Sequence, residues 1–526
     1  MLKLIKRHLT LAILLAPILA VLPAGAQVIT EDLKIIPNTQ DLQYPDIGLQ
    51  FGNSVSIEGT TAMIGVPRYD GPGGLIFAGA AYLYDIGTGQ QISQMMPQGL
   101  NSNDGFGTSV AISGGIAIVG APYDSEGGGS AGAAYLFDAA TGQQLFKLTA
   151  SDAESQDTFG GAVAIAGGVA VVGSRGDDDG VNLSGAAYIF DVATGQQLFK
   201  LAAPDPITEG LFGQSVAISG TTVLVGAERT ASLGLGEGAV YVFNANTGTY
   251  LRTLTPTDPE NGDAFGKSIA VSGDTAIVGA QGNDDDGTNS GSVYLFDINT
   301  GGQLHKLTAS DAGEFAGFGT SVSISGNTAI IGATGSAGVG PSTGAAYLFD
   351  ITTGVEGFKL IGSDGGVNDR FGHSVAFSGG IAVVGARDDD EADTDAGAAY
   401  FFQLAPFIQQ QPGSLVVTAG EAAELTTAGV SLSAVQYQWR RDGIDLNDGG
   451  NISGAQASTL SIVTTPDDAG YYDCVLTNDT GSVTTDEVVL SVRPDPNACT
   501  ADLNGDGLLN FFDVSAFLTA YGAGCP

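Results

Sequence analysis

The chain has 526 residues, 80 of them glycine, with only 14% charged residues and a formal charge of −39. One core cannot serve so long a chain, so several domains are expected. An acidic balance this strong excludes nucleic acid and anionic lipid as partners, since both demand basic patches, and favours divalent cations or cationic partners.

Residues 1–26 read as an export signal. Lys3, Lys6 and Arg7 form a basic start, Leu9 to Leu22 is an apolar stretch, and Ala24-Gly25-Ala26 is a small-residue cleavage site. About 14 apolar residues are short for a membrane span, and no later segment is apolar enough for one. Cleavage after Ala26 takes the formal charge from −39 to −42 and predicts an exported, extracellular or cell-surface protein.

From residue 51 onward a Phe-Gly pair recurs seven times, at Phe51, Phe106, Phe159, Phe212, Phe265, Phe318 and Phe371. Fourteen residues after each Phe stands a glycine closing a short apolar run: Gly65, Gly120, Gly173, Gly226, Gly279, Gly332 and Gly385. A period of 53 residues means units that cannot bury their apolar faces alone and must stack. The third unit predicts four short antiparallel strands: 159–165, 169–173, 186–190 and 197–201. That is the content of one propeller blade. A tyrosine of the third strand keeps register at Tyr135, Tyr188, Tyr241, Tyr294, Tyr347 and Tyr400, 29 residues after each Phe, while Tyr82 follows Phe51 by 31. The seventh unit stops after Phe402 without a fourth strand. Asp32 to Ile36 resembles Leu198 to Leu201 and is the expected substitute, pairing beside 397–403 to close a seven-bladed ring without open edges.

These repeats resemble the FG-GAP family, with Phe106-Gly107 and Gly120-Ala121-Pro122 the best match, across about residues 28–404. The family includes the propeller of integrin α-subunits and many bacterial surface proteins, so the resemblance implies ligand binding or adhesion more than catalysis. Some members bind Ca²⁺ in the hairpin between the first two strands. Here that hairpin is Ser113-Gly114-Gly115 or similar, without carboxylates, and the metal site is not carried over.

The long acidic loops lie between strands two and three: Asp177, Asp178, Asp179; Asp284, Asp285, Asp286; and Asp388, Asp389, Asp390. Asp152, Asp205, Asp258, Asp311 and Asp364 each stand seven residues before a Phe. Alternate connections of an up-and-down sheet share an end, so both loop sets are expected on one acidic face, where a glycan or protein ligand would bind. Capping of turns is the other role open to these residues.

Residues 405–493 change style. Asp468-Ala469-Gly470-Tyr471-Tyr472-Asp473-Cys474, with Trp439 upstream, resembles an immunoglobulin domain, and Tyr472 matches its tyrosine corner. Thr427, twelve residues before Trp439, stands where the first cysteine is usual. Cys474 is therefore expected as a buried free thiol in a spacer or adhesive module.

After a stiff linker, 494–498, residues 499–526 carry a calcium-loop pattern. Asp502, Asn504, Asp506, Asn510 and Asp513 supply oxygen ligands at loop positions 1, 3, 5, 9 and 12, Leu508 a backbone carbonyl, and Gly507 the sharp turn. Asp513 instead of Glu, and no preceding helix, resemble dockerin loops, of which this chain has one copy rather than two. The resemblance implies attachment to a surface or to a cohesin-like partner. A helix is predicted over 511–521, with Phe511, Val514, Phe517, Leu518 and Tyr521 as its apolar stripe. Cys499 and Cys525 bracket the module; a bridge would close about 26 residues, worth ~3 kcal/mol if unstrained.

The predicted fold is all-β: a seven-bladed propeller at 28–404 and an immunoglobulin-like sandwich at 405–493, followed by the Ca²⁺-loop module. The mature chain has two histidines, His305 and His373, and no nucleophile elbow, HExxH or Cys/His cluster. The expected function is non-enzymatic binding or adhesion. A carboxylate-based hydrolase or lyase acting on polysaccharide from the acidic face is the alternative.

Overall fold

The computed structural model describes residues 27–37, 48–178, 181–229, 237–404, 406–430, 435–478, 481–493, 514–515 and 518–519. The chain divides into two compact units, with the break after Gln403.

The first unit contains seven sheets, each with four antiparallel strands. In the third they are Ala162–Ala166, Val169–Ser174, Ala186–Asp191 and Gln197–Leu201, close to the predicted bounds. First strands of successive sheets lie against each other, and the seventh lies against the first, so the sheets form a ring. Each second strand is almost wholly buried, as its continuous apolar run requires.

The Phe-Gly pair stitches one sheet to the next. The Phe106 N–H donates to the Ala78 carbonyl of the preceding unit at 3.0 Å, and the Gly107 N–H donates to Gly120 O in its own sheet at 3.0 Å. Gly107 O in turn accepts from the Ser54 hydroxyl of the preceding sheet at 2.9 Å. The same bonds close the ring: Phe51 N–H to Ala396 O at 2.9 Å, and the Ser374 hydroxyl to Gly52 O at 2.8 Å. The Phe106 ring sits edge-on to Tyr135 and Phe137 at 5.6 and 5.8 Å, and Phe159, Phe265, Phe318 and Phe371 pack likewise in their sheets.

The closing glycines explain themselves sterically. A methyl at Gly120 would stand 1.9 Å from Gly160 O, and one at Gly385 would stand 2.0 Å from Gly52 O. Backbone meets backbone between sheets, and a Cβ does not fit. The seventh sheet is completed as expected, by Leu33–Ile35 pairing antiparallel with Ala398–Gln403, Lys34 opposite Tyr400. One strand is not anticipated by sequence. Gln27–Thr30 adds in parallel to the outer strand Val355–Ile361 of the sixth sheet before the chain crosses to the seventh. Glu31 fixes that crossing by accepting from the Ser363 N–H and hydroxyl at 2.9 and 2.6 Å.

The second unit holds a two-sheet immunoglobulin-like arrangement. Gln436–Arg441, Gly470–Asn478 and Val488–Arg493 form one sheet, with Leu415–Thr418 parallel to its last strand. Ala422–Thr426, Thr459–Val463 and Ile452–Ser453 form the other. Trp439 and Cys474 are fully buried in its core with Leu425 and Leu460. The Tyr472 hydroxyl donates to Asp468 O at 2.7 Å, which is the expected tyrosine corner. Cys474 is free, and burial pushes its thiol up to about 12, so it is inert at neutral pH. Thr427 is interior, its hydroxyl donating to Gln410 O at 2.8 Å. The described residues of the predicted C-terminal helix, Val514, Ser515, Leu518 and Thr519, are helical, and Val514 and Leu518 are exposed.

Gly385→Ala should lower stability by more than about 3 kcal/mol, because backbone must shift to admit the methyl. Gly313→Ala, where nothing lies within 4 Å, should stay within about 0.5 kcal/mol of wild type. Deleting 28–37 should likewise lower the melting temperature sharply, since it removes the closing strand. Denaturant melts of the three variants check this; equal losses at Gly385 and Gly313 would refute the backbone-contact account.

Candidate functional site: the long-loop end of the ring

The two ends of the ring differ in construction. At one end, turns of two residues join strands one to two, and turns of four or five residues join strands three to four. Asp138 and Asp191 cap the second kind there, accepting from the N–H and hydroxyl of Thr141 and Thr194 at 2.7–2.8 Å. These hydrogen bonds hold both carboxyls below the usual range. At the other end, the long loops between strands two and three meet the loops that enter each new sheet.

A repeated clamp holds those long loops. In the third sheet the Tyr188 hydroxyl donates to Asp177 at 2.7 Å and to Asp152 at 2.9 Å, and Lys200 Nζ lies 2.9 and 2.7 Å from the same two carboxylates. Asp152 and Asp177 belong to the two different loop sets, so their meeting shows that both emerge at one end. In the second sheet Asp124, Tyr135 and Lys147 repeat the arrangement. In the sixth, Ser336 replaces the buried Asp, and Tyr347 and Lys359 reach Asp311.

In the seventh sheet the lysine comes from the closing strand. Lys34 Nζ lies 2.9 Å from Asp389, 2.7 Å from Asp364 and 2.8 Å from Glu391. The Tyr400 hydroxyl donates to Asp389 and Asp364 at 2.7 and 3.0 Å. Burial acts to lower the Lys34 pKa, but the Asp389 charge and the carboxylate hydrogen bonds outweigh it and the net shift is upward. Burial, then the two Asp charges, drive the Tyr400 phenol strongly upward, so it stays a donor. Lys34, Asp364, Asp369, Asp389, Asp390 and Glu391 line an open cavity of about 530 Å³ here.

The structure separates the sequence-predicted aspartates. Asp177 and Asp389 are buried clamp residues, not ligand-facing ones, because each is the acceptor for a tyrosine and a lysine. Asp285 pairs with Lys306, and Asp388 with Arg370 and Arg387 at 3.1 and 3.4 Å. Asp284 and Asp390 cap the backbone N–H of Asn289 and Asp395 at 2.6 and 2.8 Å and remain exposed, as do Asp178 and Asp286. Asp179 lies outside the described residues. So do Asp502, Asn504, Asp506, Leu508, Asn510, Asp513, Cys499 and Cys525. Among the described residues no group of three His, Cys, Asp or Glu side chains is placed to hold a metal. His305 lies on the outer strand of the fifth sheet opposite Leu295, and His373 lies beside Arg387.

The clamp lysines were missed as functional positions, although a signal exists. Lys147, Lys200, Lys306 and Lys359 all follow their tyrosine by twelve residues.

Comparison with known proteins bears on the repeats directly. The FG-GAP repeat model matches six segments, 90–137, 143–190, 196–243, 250–296, 302–349 and 355–402, which together exceed half the chain. The chain belongs to the FG-GAP repeat family. Each matched repeat runs from the fourth strand of one sheet to the third strand of the next. A seventh set in the same order, Leu33–Ile35 with the first three strands of sheet one, lies outside the matches; residues 36–53 separate its two pieces. An immunoglobulin domain model matches 405–478. No curated protein matches the chain. Among solved structures it is similar to the titin M4 domain (24% identity, 17% of this chain and 96% of that one, TM-score 0.16) and to tandem Ig repeats of Dlar (18%, 22% and 61%, TM-score 0.17). No helix among the described residues is long and apolar enough to cross a membrane.

Lys34→Met should cost about 3 kcal/mol at pH 7, because it strands Asp389 and Asp364 without their cation. The Asp364 carboxyl is held below its ordinary value: burial opposes this, and Lys34 with Tyr400 outweighs it. Its stabilisation is therefore present above the ordinary carboxylate value of 3.8 and lost as pH falls through the depressed folded value. The gap between variant and wild type should shrink below about pH 4; a gap independent of pH would refute the clamp.

Proposed function

We propose that this FG-GAP repeat protein is an exported, non-enzymatic binding protein of the cell surface or extracellular space, whose long-loop end binds a glycan or protein ligand. The observation that carries this reading is the asymmetry of the ring. One end has only tight turns, while the other presents long loops stiffened from beneath by Tyr–Asp–Lys clamps. Loops ordered before binding lose little entropy when a ligand docks, so such an end suits recognition. Buried carboxylates such as Asp177 and Asp389 hold the scaffold; Asp178, Asp284, Asp286 and Asp390 stay exposed to meet a ligand, directly or through Ca²⁺.

The segment 499–526 completes the reading as an attachment module. Its ligand pattern, with Asp502, Asp506 and Asp513 as carboxylates, suits one Ca²⁺ and resembles a single dockerin-type repeat. A surface or cohesin-like anchor is the proposed partner. Residues 1–26 direct export and the immunoglobulin-like unit acts as spacer or adhesive module.

Two measurements test this. Asn at 178, 284, 286 and 390 keeps the turn-capping oxygens but removes four charges; it should leave melting unchanged and reduce attachment to cells or matrix. Full attachment by that variant would refute the acidic-loop role. Calorimetric Ca²⁺ titration of the mature chain against one lacking 499–526 should lose one site, and the shortened chain should appear in the medium. Retention at the surface would refute the tag.

A further inference from the structure

At the axis of the ring, on the long-loop end, the first strands surround a cavity of about 290 Å³. Five of the seven sheets line it, through Asn53, Thr108, Arg175, Gln214, His373 and Arg387. These are ring positions: Asn53, Thr108, Gln214 and His373 each follow a Phe-Gly pair, and Arg175 and Arg387 each stand two residues after a closing glycine.

The charge here runs against the rest of the molecule. Twelve basic residues lie between 27 and 403. Five lysines are spent in the peripheral clamps, Arg229 pairs with Glu209, and Arg252 lies on an outer strand. Of the other five, Arg175 and Arg387 line the axial cavity, and Lys267, Arg370 and Arg68 stand near enough for their charges to act on its His373 or Arg387. Burial, then the charges of Arg387, Arg370 and Lys267, push the His373 imidazole down to about 3, so its ring is neutral and Nε2 accepts from Arg387 at 3.3 Å. Burial, Arg370 and Arg68 likewise act to lower Arg387, against the Asp388 charge.

Among the described residues two carboxylates form ion pairs with these cations: Asp388, with Arg370 and Arg387, and Glu228, 3.7 Å from Lys267. Among the described residues, the buried Thr158 hydroxyl makes no hydrogen bond, and Arg387 Nε has only the 3.4 Å ion pair with Asp388. Arg175 is exposed, with one nitrogen 3.0 Å from Gln214 Oε1 and four N–H donors to spare. The mouth therefore offers an excess of positive charge and of donors.

We propose that this axial mouth binds the oxyanion group of a ligand, a carboxylate, sulfate or phosphate, through Arg175, Lys267 and Arg387, with Thr158 as a neutral donor. Guanidinium forks match such groups in pairs of hydrogen bonds. The net charge of the surrounding protein repels an extended polyanion, so the site selects a single anionic group that reaches the axis. The inference rests on the long-loop end being the binding end, and it names the chemistry recognised there.

Calorimetry on the mature chain at low salt, with inorganic sulfate, inorganic phosphate and glucuronate as probes, tests it. One-to-one binding of at least one probe is expected, weakened on the order of tenfold by Arg175→Gln or Lys267→Gln, the loss of one charge-assisted bond. Response to sulfate and phosphate alone assigns a tetrahedral group; response to glucuronate assigns a sugar carboxylate. Proton resonances of wild-type His373 give a second readout that needs no variant. At neutral pH an anion bound beside Arg387 should shift them. No heat and no His373 shift with any probe, or equal affinity in the Arg175→Gln, Lys267→Gln double variant, overturns the site. A sulfated polysaccharide binding far more tightly than free sulfate overturns the single-group selection. Free anions report on the mouth alone, so loss of this site with attachment intact leaves the binding reading standing.

Discussion

The contact on which the ring depends is a glycine Cα against a backbone carbonyl, repeated between every pair of neighbouring sheets. Gly120 lies under Gly160 O, Gly173 under Gly213 O, and so on to Gly385 under Gly52 O. The contact sets how near adjacent sheets approach at the axis, and therefore how many fit in a turn. The Phe-Gly glycine at the other side of the contact has φ between +81° and +94°. That left-handed backbone turns its N–H to its own sheet and its carbonyl to the serine of the sheet before. Each contact joins the closing glycine of one repeat to the Phe-Gly glycine of the next, while within a repeat the bond from the Phe-Gly N–H to the closing glycine's carbonyl, as from Gly107 to Gly120, keeps the two at a constant separation.

Electrostatics organise the outer shell on this frame. Carboxylates far outnumber basic groups, so each lysine serves several. Lys34 lies within 3 Å of three carboxylates, and Lys147 and Lys200 of two each. The buried members, Asp124, Asp177 and Asp389, are accommodated in the interior because a lysine and a tyrosine hydroxyl replace water around them. The fifth and sixth sheets carry Asn283 and Ser336 at that position, so the clamp varies in strength around the ring. With so few basic residues, where the remainder collect is informative, and they collect at the axis.

The division of labour follows from this construction. Tight turns leave little freedom at one end of the ring. The other end varies in loop length and composition from unit to unit without disturbing the strands beneath, because the clamps lie below the loop tips. The immunoglobulin-like unit is stable without a disulfide by a different route. Trp439, Tyr472 and Cys474 fill its core, and the corner bond from Tyr472 to Asp468 ties a strand to the turn before it.

Local rules carried most of the fold. Short apolar runs closed by glycine and the 53-residue repeat determined four strands per unit and the need to stack, and the likeness of 32–36 to a fourth strand determined the closure. The immunoglobulin-like unit was legible from Trp439 and the Tyr472–Cys474 pattern. Tertiary structure alone decided the rest. Gln27–Thr30 has no repeat partner to betray it, and its parallel pairing depends on where the sixth sheet's edge lies in space. A run of aspartates looks alike in sequence whether it faces water or a buried lysine. Only the packing of Tyr188 and Lys200 against Asp177, residues brought together across strands, shows that the carboxylate points inward. The axial cluster is likewise invisible along the chain, since Arg68 and Arg387 are more than 300 residues apart and become neighbours only because the ring closes.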